Sequence, residues 1–111
     1  MVERFAEPSL DRTYSALAHP VRRTLLERLR HDDLRVTDAA DAFDISLAAV
    51  SKHIAVLERS ELLGRTIRGR DHVLSLRAEP LGTAAGWLAP YRAFWERQLD
   101  ALADHLGGDA R

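Results

Sequence analysis

The chain contains no cysteine among its 111 residues, which excludes disulfide bridges, thiolate metal sites and cysteine redox switching. No apolar run approaches the roughly 20 residues needed to cross a bilayer. The start, Met1 to Glu7, lacks the basic-then-apolar order of a signal peptide, so a cytoplasmic location is expected. An excess of one charge is also missing. A formal net charge of -1 excludes a wholesale polycation, so any contact with nucleic acid must come from charge sorted onto one face. There is no Gly-rich phosphate loop and no Ser/His/Asp or Cys/His constellation with supporting motifs, so neither an enzyme nor a bound cofactor is expected.

What is present suits one domain, with 46% hydrophobic residues to form a core. The reading assigns residues 1–8 to an N-terminal arm, 9–106 to the domain and 107–111 to a frayed tail. Charge is sorted along the chain. From Ser46 to Arg77 there are six cationic residues against three anionic ones, whereas Asp32 to Asp44 holds five aspartates and one arginine. The basic segment is therefore the candidate contact surface.

The most informative stretch is Ser46 to Ser60. Ser46 is a helix cap, and Val50, Ile54 and Leu57 recur at steps of four and three, which docks one stripe on a core. The opposite face carries Ala48, Ser51, Lys52 and Ala55. Small residues let a backbone approach DNA, a hydroxyl bonds a base edge or phosphate, and lysine supplies charge. Upstream, Ser9 is read as the cap of a helix carrying Leu10, Tyr14 and Leu17, and His19-Pro20 opens a second helix with Val21, Leu25, Leu26 and Leu29 inside. Thr37 is read as the cap of a short third helix over Asp38–Phe43. Two short helices with a tight connection form a helix-turn-helix.

Leu62, Leu63 and Gly64 are expected to close the recognition helix. Two β-prone runs then flank a Gly-containing turn, with Ile67, Val73 and Leu74 as candidate packing residues and Arg68 and Arg70 placed to follow a phosphate backbone. The expected fold is thus mainly α with a small β-hairpin wing. In the last segment, Leu88, Tyr91, Trp95, Leu99, Leu102 and Leu106 form one apolar stripe, with Phe94 and Trp87 alongside. Pro90 predicts a break near Ala89. So long a stripe on so small a domain points to pairing with a second copy, helped by Leu10 and Tyr14.

The order of elements, with Ala16 Leu17 Ala18 His19 Pro20 Val21 Arg22 Arg23 and Ala49 Val50 Ser51 Lys52 His53 Ile54 Ala55 Val56 Leu57, resembles the ArsR/SmtB family of bacterial winged-helix repressors. The likeness covers nearly the whole chain, and Tyr91 to Asp100 is similar to a branch that does not sense metals. It implies a homodimer that binds operator DNA through two recognition helices and releases it when an effector binds. Carried over by position, Ser46, Leu47, Ala48, Ser51 and Lys52 face the major groove, with Arg65, Arg68 and Arg70 on the wing; Thr37 and His53 complete the candidate contact set. Two departures stand out. Leu47 replaces a polar residue common among relatives, and Ala48 replaces a proline. The family's metal signatures are also missing: Arg35 to Ala39 has no Cys-x-Cys, and neither Asp-x-His nor His-x-x-Glu occurs. Zinc needs about four ligands at roughly 2.0 to 2.3 Å. His19, His31, His53, His72 and His105 are scattered over different elements, so no metal site is expected.

The expected function is a homodimeric repressor whose recognition helices lie about 34 Å apart and enter successive major grooves of an inverted repeat. The alternative is a winged-helix interaction module whose aromatic stripe binds another protein.

Overall fold

The computed structural model describes the backbone of residues 8–109, so the expected arm, apart from Pro8, and the last two residues of the expected tail lie outside the described residues. Helix α1 (Pro8–Leu17) starts on the proline itself, one residue before the expected Ser9 cap. Helix α2 (Pro20–His31) follows, with Leu25, Leu26 and Leu29 buried. The cap is His19: its Nδ1 accepts from the Val21 backbone N–H at 3.1 Å, and Pro20 occupies the first turn, where no N–H is required.

Strand β1 (Leu34–Arg35) was not anticipated. Two residues carry no readable alternation, and the strand exists only because Leu34 and Arg35 pair with Leu74 and Val73 of a distant hairpin. It also displaces the next helix. α3 runs Val36–Asp41 rather than Asp38–Phe43, and its N-cap is Arg35. Thr37 therefore lies inside the first turn and is not a cap; the strand holds the preceding backbone extended and the helix starts directly after it. Phe43 follows the helix, half-buried against the core.

Helix α4 (Leu47–Arg59) has the expected start, with the Ala49 N–H donating to Ser46 Oγ at 3.1 Å. Val50, Ile54 and Leu57 are fully buried. The end differs from expectation. Glu61, not Gly64, takes the left-handed backbone conformation, at φ 59°. The Leu62 N–H bonds the Leu57 carbonyl at 2.9 Å and the Glu61 N–H bonds that of Glu58 at 3.0 Å, a Schellman closure with buried Leu57 and Leu62 in contact range. Burial of Leu62 and Leu63 drives this stop, since both must enter the core as the chain turns into the sheet.

Strands β2 (Leu63–Arg68) and β3 (Asp71–Leu76) form the hairpin, and the antiparallel sheet has the order β1-β3-β2. Arg68 pairs with Asp71 across a two-residue turn whose first position is Gly69 at φ 62°, the sign that a type II′ turn demands there. Alternation places Leu63, Arg65 and Ile67 on one face with Leu76, Leu74 and His72 opposite them. Leu63 and Leu74 are buried, yet Ile67 is 63% exposed, contrary to its expected packing role, because by that register position the hairpin has left the body of the domain.

Helix α5 (Glu79–Asp109) is continuous over 31 residues, without the expected break at Pro90 and past the expected stop at Leu106. Pro90 withholds one hydrogen bond from the carbonyl of Gly86, but both residues are exposed, so water can satisfy the carbonyl and no neighbour obstructs the ring. The helix packs chiefly on α1. Tyr14 Oη donates to the Ala84 carbonyl at 2.9 Å, and its ring meets Trp87 edge-on at 6.4 Å. Beyond that junction α5 projects. The radius of gyration is 18.9 Å, against about 13 Å for a compact domain of this length.

Candidate nucleic-acid interface

The small polar face foreseen on α4 is where the fold presents it outward. Ser46, Leu47, Ala48, Ser51 and Lys52 are all exposed, while the stripe at Val50, Ile54 and Leu57 anchors the opposite side. Leu47 is 54% exposed at the first position of the helix, an apolar surface suited to a thymine methyl and unable to bond a base edge. Thr37, exposed on α3, lines an open cleft between that helix and the wing together with Arg35, Arg65, Arg70 and His72. Among the described residues, Lys52, Arg68 and Arg70 have no ion-pair or hydrogen-bond partner, so their charges are available to a polyanion.

Two expected contact residues are otherwise engaged. Arg65 forms a two-pronged ion pair with Glu58, at 2.8 Å and 3.2 Å, and donates to His72 Nδ1 at 3.0 Å. His53 is half-buried beneath the recognition helix, where its Nδ1 accepts from the Arg22 guanidinium at 3.1 Å and its ring lies 4.2 Å from that of His19. Arg22 also donates to the carbonyls of Ala16 and Ser15, at 2.7 Å and 3.1 Å. One guanidinium therefore ties the end of α1 and the start of α2 to the recognition helix. Reading by sequence missed Arg22, Glu58 and His72. The His19-Pro20 pair was the one available signal, since a helix starting at Pro20 makes the residue before it the cap.

Burial, then the neighbouring His19 and Arg22, lowers the pKa of His53 below the ordinary 6.5. The unfolded chain therefore binds this proton more readily than the folded one. The stability His53 contributes is complete above the unfolded value near 6.5, declines as the pH falls below it, and is gone once the pH has passed through the folded-state pKa. Thermal melts between pH 7.5 and 5 are expected to show a steeper loss for the parent chain than for His53→Gln, whose amide oxygen still accepts from Arg22. Parallel curves would assign the acid sensitivity to another group.

The uncovered stripe is the second feature of the surface. Trp87, Leu88, Tyr91, Phe94, Trp95, Leu99, Leu102 and Leu106 are between 45% and 63% exposed. Trp87 stacks on Tyr91 at 5.3 Å, and Phe94 meets Trp95 edge-on at 6.5 Å. Tyr14 and Leu10, expected at an interface between copies, are only partly exposed, and Tyr14 instead holds α5 to α1 within the chain. Among the described residues no group of three or more histidine or acidic side chains is placed to hold a metal, and no helix is long and apolar enough to cross a membrane.

A reading helix braced from behind and flanked by an arginine-tipped hairpin is the surface of a winged helix-turn-helix regulator, a class that works by binding DNA. Residues 17–64 match the helix-turn-helix domain family. The chain is 37% identical over 101 residues to the HTH-type transcriptional regulator Rv2034 of Mycobacterium tuberculosis, covering 91% of this chain and 92% of that one. It is 27% identical over 79 residues to the transcriptional repressor SdpR of Bacillus subtilis, covering 71% of this chain and 88% of the relative. The crystal structure of an ArsR family transcriptional regulator superposes with a TM-score of 0.73 at 34% identity, over 82% of this chain and 95% of that one. The chain belongs to the ArsR/SmtB family of winged helix-turn-helix transcriptional regulators, which are DNA-binding proteins and not enzymes.

Proposed function

We propose that the chain acts as a homodimeric repressor that binds an inverted-repeat operator and is not switched by a metal bound within it. The observation that carries this reading is the uncovered stripe on α5, which extends about 29 Å from Trp87 to Leu106 at 1.5 Å per residue. Eight large apolar side chains at least 45% exposed on one projecting helix demand a partner, and a second copy supplies an identical stripe. Two-fold pairing then presents two reading helices to one duplex, which a palindromic site matches. Repression is supported by the likeness to SdpR, itself named a repressor. The lack of metal switching is supported by the absence of cysteine and by the dispersal of the five histidines.

In this reading Lys52, Arg68 and Arg70 supply affinity through phosphates, while Ser46, Leu47, Ala48 and Ser51 discriminate bases. Thr37 lies at the edge of the same footprint and contributes a hydroxyl to the backbone. Sedimentation of the pure protein, followed by nuclease protection of the DNA upstream of its own gene with and without a chelator, tests the proposal. A dimer protecting two half-sites one helical turn apart, unchanged by the chelator, is expected. A monomer, or protection that responds to added zinc, would overturn it.

A further inference from the structure

The recognition helix and the wing are joined by one contact of strict geometry. Glu58 is on the last turn of α4 and Arg65 on β2, with side chains 33% and 30% exposed. The guanidinium donates through Nε to one carboxylate oxygen at 3.2 Å and through Nη2 to the other at 2.8 Å, and Nη1 donates to His72 Nδ1 on β3 at 3.0 Å. Strand alternation puts Arg65 on the face that carries buried Leu63 and Leu74, one register step before the chain leaves the core, and puts Arg68 on the other face.

We propose that Glu58 and Arg65 form a latch that sets the angle between wing and recognition helix, so that Arg65 serves DNA binding as a positioning residue and not as a phosphate contact. This deepens the DNA-binding reading and rests on it. The brace is needed because β1 supports the hairpin only at Val73 and Leu74, leaving the outer portion a two-stranded ribbon. From Arg65 to Arg68 is about 10 Å at 3.3 Å per residue. A swing of about 20° at the latch therefore displaces the tip by about 3.5 Å, enough to break a charge-assisted contact between Arg68 and a phosphate. Releasing Arg65 to a phosphate would in turn leave the Glu58 carboxylate unpaired close to the DNA. A paired guanidinium is already neutralised and displaces no counterion, so the salt dependence should not count it.

Affinity for a duplex carrying the protected site is measured over a range of salt for Glu58→Gln, Arg65→Ala and the double variant, alongside hydrogen exchange of the hairpin without DNA. Each single variant is expected to lose affinity three- to tenfold with the salt slope unchanged. The double variant loses no more than the worse single one. Exchange in Thr66–Val73 rises in all three, and the swapped pair Glu58→Arg with Arg65→Glu regains most of the affinity. A slope flattened by about one in Arg65→Ala alone would make Arg65 a phosphate contact and overturn the latch, as would tighter binding by Glu58→Gln or unchanged exchange. Failure of the parent chain to bind duplex at low salt, with exchange still raised in the variants, would instead remove the DNA reading on which the latch's purpose rests.

Discussion

Leu99→Asp is expected to leave the chain monomeric at micromolar concentration and to lower its affinity for a two-half-site duplex by at least about 100-fold. Leu99 is 57% exposed near the middle of the α5 stripe and touches none of the buried core. Covering a leucine contributes about 1.5 to 3 kcal/mol, and two-fold pairing counts the side chain twice, so its loss removes about 3 to 6 kcal/mol before the aspartate's own desolvation is added. That range corresponds to factors of about 10² to 10⁴ in the association constant. Because the residue is remote from the core, the melting temperature of the isolated domain should change little, which separates lost pairing from lost folding. Sedimentation and DNA titration of the same preparations check both halves. A variant that remains dimeric would place the interface elsewhere, and a monomeric variant binding as tightly as the parent would show that pairing is not what organises DNA contact.

The paired substitution Arg68→Ala with Arg70→Ala is expected to weaken operator and random duplex alike, by about 30-fold at 0.1 M salt. The plot of log affinity against log salt should flatten by about 1.8, at about 0.9 per lost phosphate contact on B-form DNA. Both arginines lie at the hairpin tip, exposed and without an ion-pair partner among the described residues, so nothing in the folded chain depends on their charge. Ser51→Ala serves as the contrast. Its hydroxyl is exposed on the reading face of α4 and carries no charge, so its loss should reduce preference for the operator with the salt slope intact. Equal losses on both duplexes for both variants would contradict this division between phosphates that hold and bases that inform.

Much of this surface was legible in residue order because the rules that produce it act over one or two turns. Ser46 caps α4, and Val50, Ile54 and Leu57 bury its inner side, so the exposed positions follow from helical period alone. The apolar stripe of α5 is visible for the same reason. Local rules failed where a distant neighbour intervened. Thr37 has good cap chemistry, yet β1 pairing with β3 set the start of α3 one residue before it. Ile67 has strong β character but leaves the core with the projecting hairpin. Pro90 signals a break, and α5 runs through because both ends of the missing hydrogen bond face solvent.

Composition, spacing and capping by themselves determined that this chain is a winged helix-turn-helix protein with a cationic reading side and an apolar C-terminal helix. Tertiary structure alone decided which charges stay available. Arg65 and Arg68 are three residues apart and look equivalent in order, yet one is clasped by Glu58 and the other is open to solvent. Likewise, His53 on the recognition helix answers to Arg22, thirty-one residues earlier. The reason is geometric: period and caps depend on bonded neighbours, whereas ion pairing depends on how separate elements cross, and that is set by the packing of the whole core.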